Sequence, residues 1–206
     1  MSDENTRELV RLVLTYPVKL GRLNFPIVVK ESTGFDVIPI DMNNEYDKRL
    51  ISNMSKKLLS SLNIIQKTGV RFEGSRINEI GRQLEPYFVR DLHTPPFTVT
   101  QLASTGYPDT EILFDGQPIY MELKTSGVVA EKSSYRYFYY TKGSKIKKSA
   151  RHLLVTILVE PTGNRVWNVK RFVISDLSKL KVRLKPEFNA SRTDLMEQSA
   201  RIIEVP

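Results

Sequence analysis

Tyr107-Pro108-Asp109-Thr110-Glu111-Ile112-Leu113-Phe114-Asp115-Gly116-Gln117-Pro118-Ile119-Tyr120-Met121-Glu122-Leu123-Lys124 is the stretch from which the rest of the chain is read. Asp115-Gly116 is a strong two-residue hairpin turn, because such turns need positive φ, which Asp tolerates and Gly adopts freely. With those residues at the turn, Phe114 pairs with Gln117 and Leu113 with Pro118. The count continued outward sets Asp109 opposite Glu122. Paired residues on one sheet face have Cβ atoms roughly 5 Å apart. Lys124, two residues beyond Glu122, projects from the same face. Two carboxylates so placed repel each other, and a bound divalent cation turns that cost into affinity, since Mg²⁺ takes oxygen ligands at about 2.1 Å. A lysine beside them can orient an attacking water or hold charge developing on a phosphate. The spacing is that of a metal-dependent phosphodiester-cleaving site.

The 206 residues fit one domain with modest insertions, and 40% hydrophobic with 26% charged residues is ordinary for a globular chain. There is no cysteine, which excludes disulfides, thiolate metal sites and cysteine nucleophiles. No apolar stretch approaches the ~18 residues needed to span a bilayer, and the acidic opening Met1-Ser2-Asp3-Glu4 is not that of a signal peptide. A cytoplasmic protein is expected. The net charge of +8 favours a polyanionic partner, nucleic acid first and an acidic membrane surface second. Two histidines, His93 and His152, are too few for a histidine-centred site, and both are expected to be structural or exposed. Phosphate-loop and serine-nucleophile motifs are absent.

Helical spacing predicts helices over Asp3–Tyr16, Asn44–Gln66, Ser75–Leu92 and Arg192–Ile202, with Pro86 kinking or splitting the third. The apolar runs Phe25–Val29 and Phe35–Ile40 read as a hairpin closed by Glu31-Ser32-Thr33-Gly34, and Thr68-Gly69 ends the second helix. His93-Thr94-Pro95-Pro96 opens a loop that leads to the Asp115-Gly116 hairpin. Strands are expected at His152–Val159 and Val166–Ile174.

Pro108-Asp109, a spacer, and Glu122-Leu123-Lys124 on the neighbouring strand together resemble the PD-(D/E)XK nuclease superfamily, including its proline. The resemblance implies an α/β (α+β) fold with a restriction-endonuclease-like core, a mixed central sheet flanked by helices. It implies Asp109, Glu122 and the Leu123 carbonyl as Mg²⁺ ligands, and Lys124 positioning the water that leaves a 5′ phosphate. The superfamily's preceding helix often carries a further glutamate. Glu85, flanking the apolar face in Gly81-Arg82-Gln83-Leu84-Glu85, is chosen over Glu79, which points away as a plain surface charge. Residues 1–206 then form a single nuclease domain, with an N-terminal elaboration over 1–70, a catalytic core over 75–175 and a C-terminal extension over 176–206. A compact chain of this kind is most similar to a type II restriction endonuclease. That implies a homodimer on a palindromic double-stranded DNA site and a cognate DNA methyltransferase in the same cell. The rivals are a structure-specific nuclease for branched DNA and a DNA-binding protein without activity.

Residues 132–151 hold seven basic side chains and no acidic one. Tyr135, Tyr137 and Tyr139 alternate as in the start of a half-buried strand, and Lys142, Lys145, Lys147, Lys148 and Arg151 form a basic loop expected on DNA phosphates. Met42, in the polar loop Asp41-Met42-Asn43-Asn44, joins these candidates as an apolar wedge between base steps, although local packing is its more ordinary role. Met54 falls on the helical stripe and belongs to the core.

Overall fold

The computed structural model describes residues 7, 23–102, 106–128 and 145–182. The helices expected over Asp3–Tyr16 (Arg7 apart) and Arg192–Ile202, the tyrosine-rich segment and Lys142 lie outside these residues. The chain groups into two units, Met1–Leu23 with Lys181–Pro206, and Asn24–Leu180. The second unit holds everything described below.

Its first element corrects the sequence reading. Phe25–Thr33 is a helix, α1, rather than a strand of a hairpin. Pro26 sits in its first turn, Phe25 and Val29 are buried one turn apart, and Gly34 closes it at φ 82 with its N–H on the Lys30 carbonyl. A short apolar run fits either period. Here burial at i and i+4 with a left-handed cap decides for the helix. The second run keeps only a two-residue strand, β1 (Val37–Ile38), which pairs in parallel with the distant Ala150–Arg151.

Helix α2 (Glu45–Thr68) matches its expected span. The Asn44 side chain accepts the Tyr46 and Asp47 N–H groups at the start, and Gly69 at φ 64 ends it. Leu50, Met54, Leu58, Leu62 and Ile65 form its buried stripe. After β2 (Phe72–Glu73), α3 (Ile77–Leu92) buries Ile80, Leu84, Phe88 and Leu92. It is one continuous helix through Pro86, not two. Pro86 and Arg82, whose carbonyl loses its donor, both lie on the exposed side, where that carbonyl is open to solvent. Five more strands follow: β3 (Phe97–Gln101), β4 (Thr110–Phe114), β5 (Gln117–Gly127), β6 (Ala150–Gly163) and β7 (Val166–Asp176). β3 forms where the sequence predicts a loop. Its buried Phe97 and Val99 alternate with exposed threonines on an edge strand paired to β4.

The strands form one mixed sheet in the order β2-β7-β6-β5-β4-β3, with β1 beside β6. β5 and β6 are parallel, whereas β4–β5 and β6–β7 are antiparallel. Ile119, Met121 and Leu123 of β5 and Leu153, Val155, Ile157 and Val159 of β6 pack with the α2 and α3 stripes into one core. Period-2 alternation therefore turns Glu122, Lys124 and His152 to the other face. This is a mixed α/β fold with a restriction-endonuclease-like core, its curled sheet flanked by three helices. Among the described residues, no helix is long and apolar enough to cross a membrane.

Candidate active site

The β4–β5 hairpin turns at Asp115 (φ 47) and Gly116 (φ 75), and its register runs from Phe114↔Gln117 to Thr110↔Met121. Asp109 lies one residue beyond the last pair, beside Glu122. Its N–H donates to Glu122 Oε2 at 3.0 Å, and the Leu123 N–H donates to Asp109 Oδ2 at 3.2 Å. Lys124 Nζ stands 2.5 Å from Glu122 Oε1 and 3.5 Å from Asp109 Oδ2. The ammonium therefore bridges two carboxylates that would otherwise repel.

Glu122 is only 3% exposed. Burial pushes its carboxyl up to about 7; Asp109 adds to the rise and Lys124 opposes it. For Lys124 burial acts downward, but Glu122 and Asp109 outweigh it and hold the ammonium above the ordinary lysine value. Glu85, half-buried on α3, is raised by burial and then by Asp109, with Lys124 opposing, so it lies within electrostatic reach of the cluster. Glu79 is not a plain surface charge: its Oε2 accepts the Ser75 N–H at 2.8 Å, capping the start of α3. Among the described residues, no three His, Asp or Glu side chains gather as a metal cluster. Two converging carboxylates bridged by a cationic side chain, with Glu85 in range, nevertheless form an all-oxygen donor set suited to a hard divalent ion.

The loop that delivers Asp109 is held by residues for which the sequence predicts other roles or none. Lys145, expected on DNA, is buried, and its Nζ donates to the Gly106 carbonyl at 2.5 Å and the Pro108 carbonyl at 3.0 Å. Tyr107, between those carbonyls, is buried with its hydroxyl 2.6 Å from His152 Nδ1. Phe25 packs edge-on against both rings and Tyr120 tilts against His152. His152 is fully buried, which lowers it to about 3 and keeps the imidazole neutral. Among the described residues, its Nε2 has no hydrogen-bond partner.

Arg151 is also turned inward. It is paired with buried Asp47, donates to Gln117 Oε1 at 3.0 Å and lies 4.4 Å over the Tyr46 ring. Lys145 and Arg151 are thus nearly buried, and each charge has partners within the fold. Lys147 and Lys148 are exposed, the latter 3.2 Å from Glu111. Met42 is 53% exposed rather than packed locally. His93 accepts the Val99 N–H on Nδ1, a structural role. The inward direction of Lys145 and Arg151 had no local signal. Tyr107 did carry one, as the aromatic preceding Pro108-Asp109.

No solved structure matches this chain. The family model of the type II restriction enzyme MjaV family matches residues 19–199. The chain is 32% identical to the type II restriction enzyme MjaV of Methanocaldococcus jannaschii, in an alignment covering 99% of this chain and 98% of that protein. Near-complete coverage on both sides, together with a restriction-endonuclease-like core, places this chain in the type II restriction enzyme MjaV family, as a site-specific deoxyribonuclease.

Proposed function

We propose that the enzyme hydrolyses double-stranded DNA at a palindromic site with Mg²⁺, using Asp109, Glu122, Lys124 and Glu85. The observation that carries this reading is the convergence of Asp109, Glu122 and Lys124 at one end of the β4–β5 hairpin. Asp109 and Glu122, with the Leu123 carbonyl, would hold Mg²⁺. When bound, the ion would lower the pKa of a coordinated water and neutralise charge on the phosphate. Lys124 orients the attacking water and donates to the oxygen on which charge builds. Glu85 supports the ligand shell from α3. Attack in line breaks the bond from phosphorus to the 3′ oxygen, leaving a 5′ phosphate and a 3′ hydroxyl.

A homodimer suits a palindrome, because each protomer then presents one site to each strand. A cytoplasmic location and a cognate methyltransferase protecting host DNA complete the proposal. Family membership favours this reading over both a branched-DNA nuclease and an inactive binder.

The test is digestion of a long duplex DNA by purified protein with Mg²⁺, beside EDTA, Asp109→Ala and Lys124→Ala controls. Discrete bands that vanish in all three controls are expected, with duplex binding largely retained by both variants. Wild-type cleavage rates from either variant would refute the assigned site.

A further inference from the structure

The β6–β7 hairpin runs beyond the end of the β5–β6 pairing. Pairing of β5 with β6 stops at Gly127↔Val159, while β6 and β7 stay paired to Gly163↔Val166, where β2 joins the outer edge of β7 through Glu73↔Val166 and Phe72↔Trp167. Asn164 (φ 47) and Arg165 (φ 63) close it, both in the left-handed region. A turn with two such residues follows the twist of the strands, and glycine is the residue its second position favours. Among the described residues, the other two-residue hairpin obeys that preference with Asp115-Gly116. Arginine in the second position carries backbone strain of about 1–2 kcal/mol that glycine would not. Its side chain packs no core, for Arg165 is exposed. Strain retained at a solvent-facing tip points to use of the side chain.

The surroundings are basic and rigid. Among the described residues, Arg165 enters none of the ion pairs. Exposed Arg71 lines one cavity with Thr162, Gly163 and Asn164, and Arg76 stands exposed at the start of α3. Glu160 is taken by Lys170 at 2.6 Å, leaving Glu73 as the nearby acid. The Gly74 N–H donates to the Arg165 carbonyl at 2.9 Å, and Trp167 Nε1 donates to the Gly74 carbonyl at 2.9 Å. The tip is thereby braced to the segment that starts α3, the helix carrying Glu85.

Register also sets the tip against the site. Lys124 pairs with Thr156, and the hairpin reaches Gly163 seven residues further along β6. At about 3.3 Å per residue that is roughly 23 Å, less than the ~34 Å of one DNA turn. The tip extends past the carboxyl ends of the parallel pair β5–β6, where open α/β sheets bind their ligands. At such a tip an arginine fork can bond a phosphate or the O6/N7 edge of guanine.

We propose that this hairpin tip is a DNA-contacting arm, with Arg165 as its contact residue within one helical turn of the cleaved phosphate. The inference rests on the DNA-cleavage reading above. Arg165→Gly removes the fork and relieves the turn, so binding and folding separate. The full-length protein is titrated in EDTA with a short duplex carrying the site mapped by digestion, and with a scrambled duplex, across a salt series. The variant is expected to melt no lower than wild type and to bind the site duplex about tenfold or more weakly. Equal weakening on both duplexes, with the log–log salt slope reduced by about one, assigns a phosphate contact; weakening confined to the site duplex assigns a base contact. Wild-type affinity and slope on both duplexes overturn the arm while leaving the nuclease reading intact. Wild-type protein that binds neither duplex overturns both.

Discussion

Replacing Lys145 with methionine tests whether this basic residue serves the fold or the DNA. Lys145 is 9% exposed, and its ammonium gives hydrogen bonds of 2.5 and 3.0 Å to the carbonyls flanking Tyr107. Bonds from a charged donor contribute about 1.5–3 kcal/mol each. Methionine keeps the stem but leaves both carbonyls without their donor. Relief of a buried charge offsets part of that loss, so the fold should lose about 2–4 kcal/mol in urea denaturation. Asp109 follows Pro108 directly, and a displacement of about 1 Å in a reacting group costs about 100-fold in rate. Single-turnover cleavage at saturating enzyme should therefore fall by about 100-fold. Duplex affinity and its salt slope should stay at wild-type values, because Nζ faces the protein. Retained cleavage with a weakened, less salt-sensitive affinity would refute the reasoning and return Lys145 to the phosphate-binding role its sequence context suggests.

Two further outcomes follow from the buried charges. Glu122 is pushed by burial from 4.5 to about 7 and so binds its proton more tightly when folded. Its contribution to stability is full below the unfolded value and is lost as pH rises through about 7, a difference of about 3 kcal/mol. In EDTA, wild type should lose about that much relative to Glu122→Gln between about pH 5 and about pH 8; parallel urea-denaturation curves would reject it. Asp47→Ala strands Arg151, itself 8% exposed, inside the protein. A loss of about 3–5 kcal/mol is expected, partly recovered by adding Arg151→Met, and thermal melts showing the single variant unharmed would contradict it.

The sequence alone determined what depends on near neighbours. Asp115-Gly116 dictates the turn, period-2 alternation carries the register outward, and Asp109, Glu122 and Lys124 follow by counting. Asn44, Gly69 and the leucine stripe between them likewise delimit α2 without outside help. Phe25–Val29 is ambiguous by the same logic, since five apolar residues satisfy a strand or a helix until packing selects a face. Tertiary structure alone decided the direction of the basic side chains. Lys145 meets carbonyls 39 and 37 residues away, and Arg151 meets Asp47 at a separation of 104. A lysine or arginine carries the same charge whether it faces solvent or a buried acceptor. Local pattern reports that charge, but only the assembled tertiary fold supplies the acceptors that turn it inward.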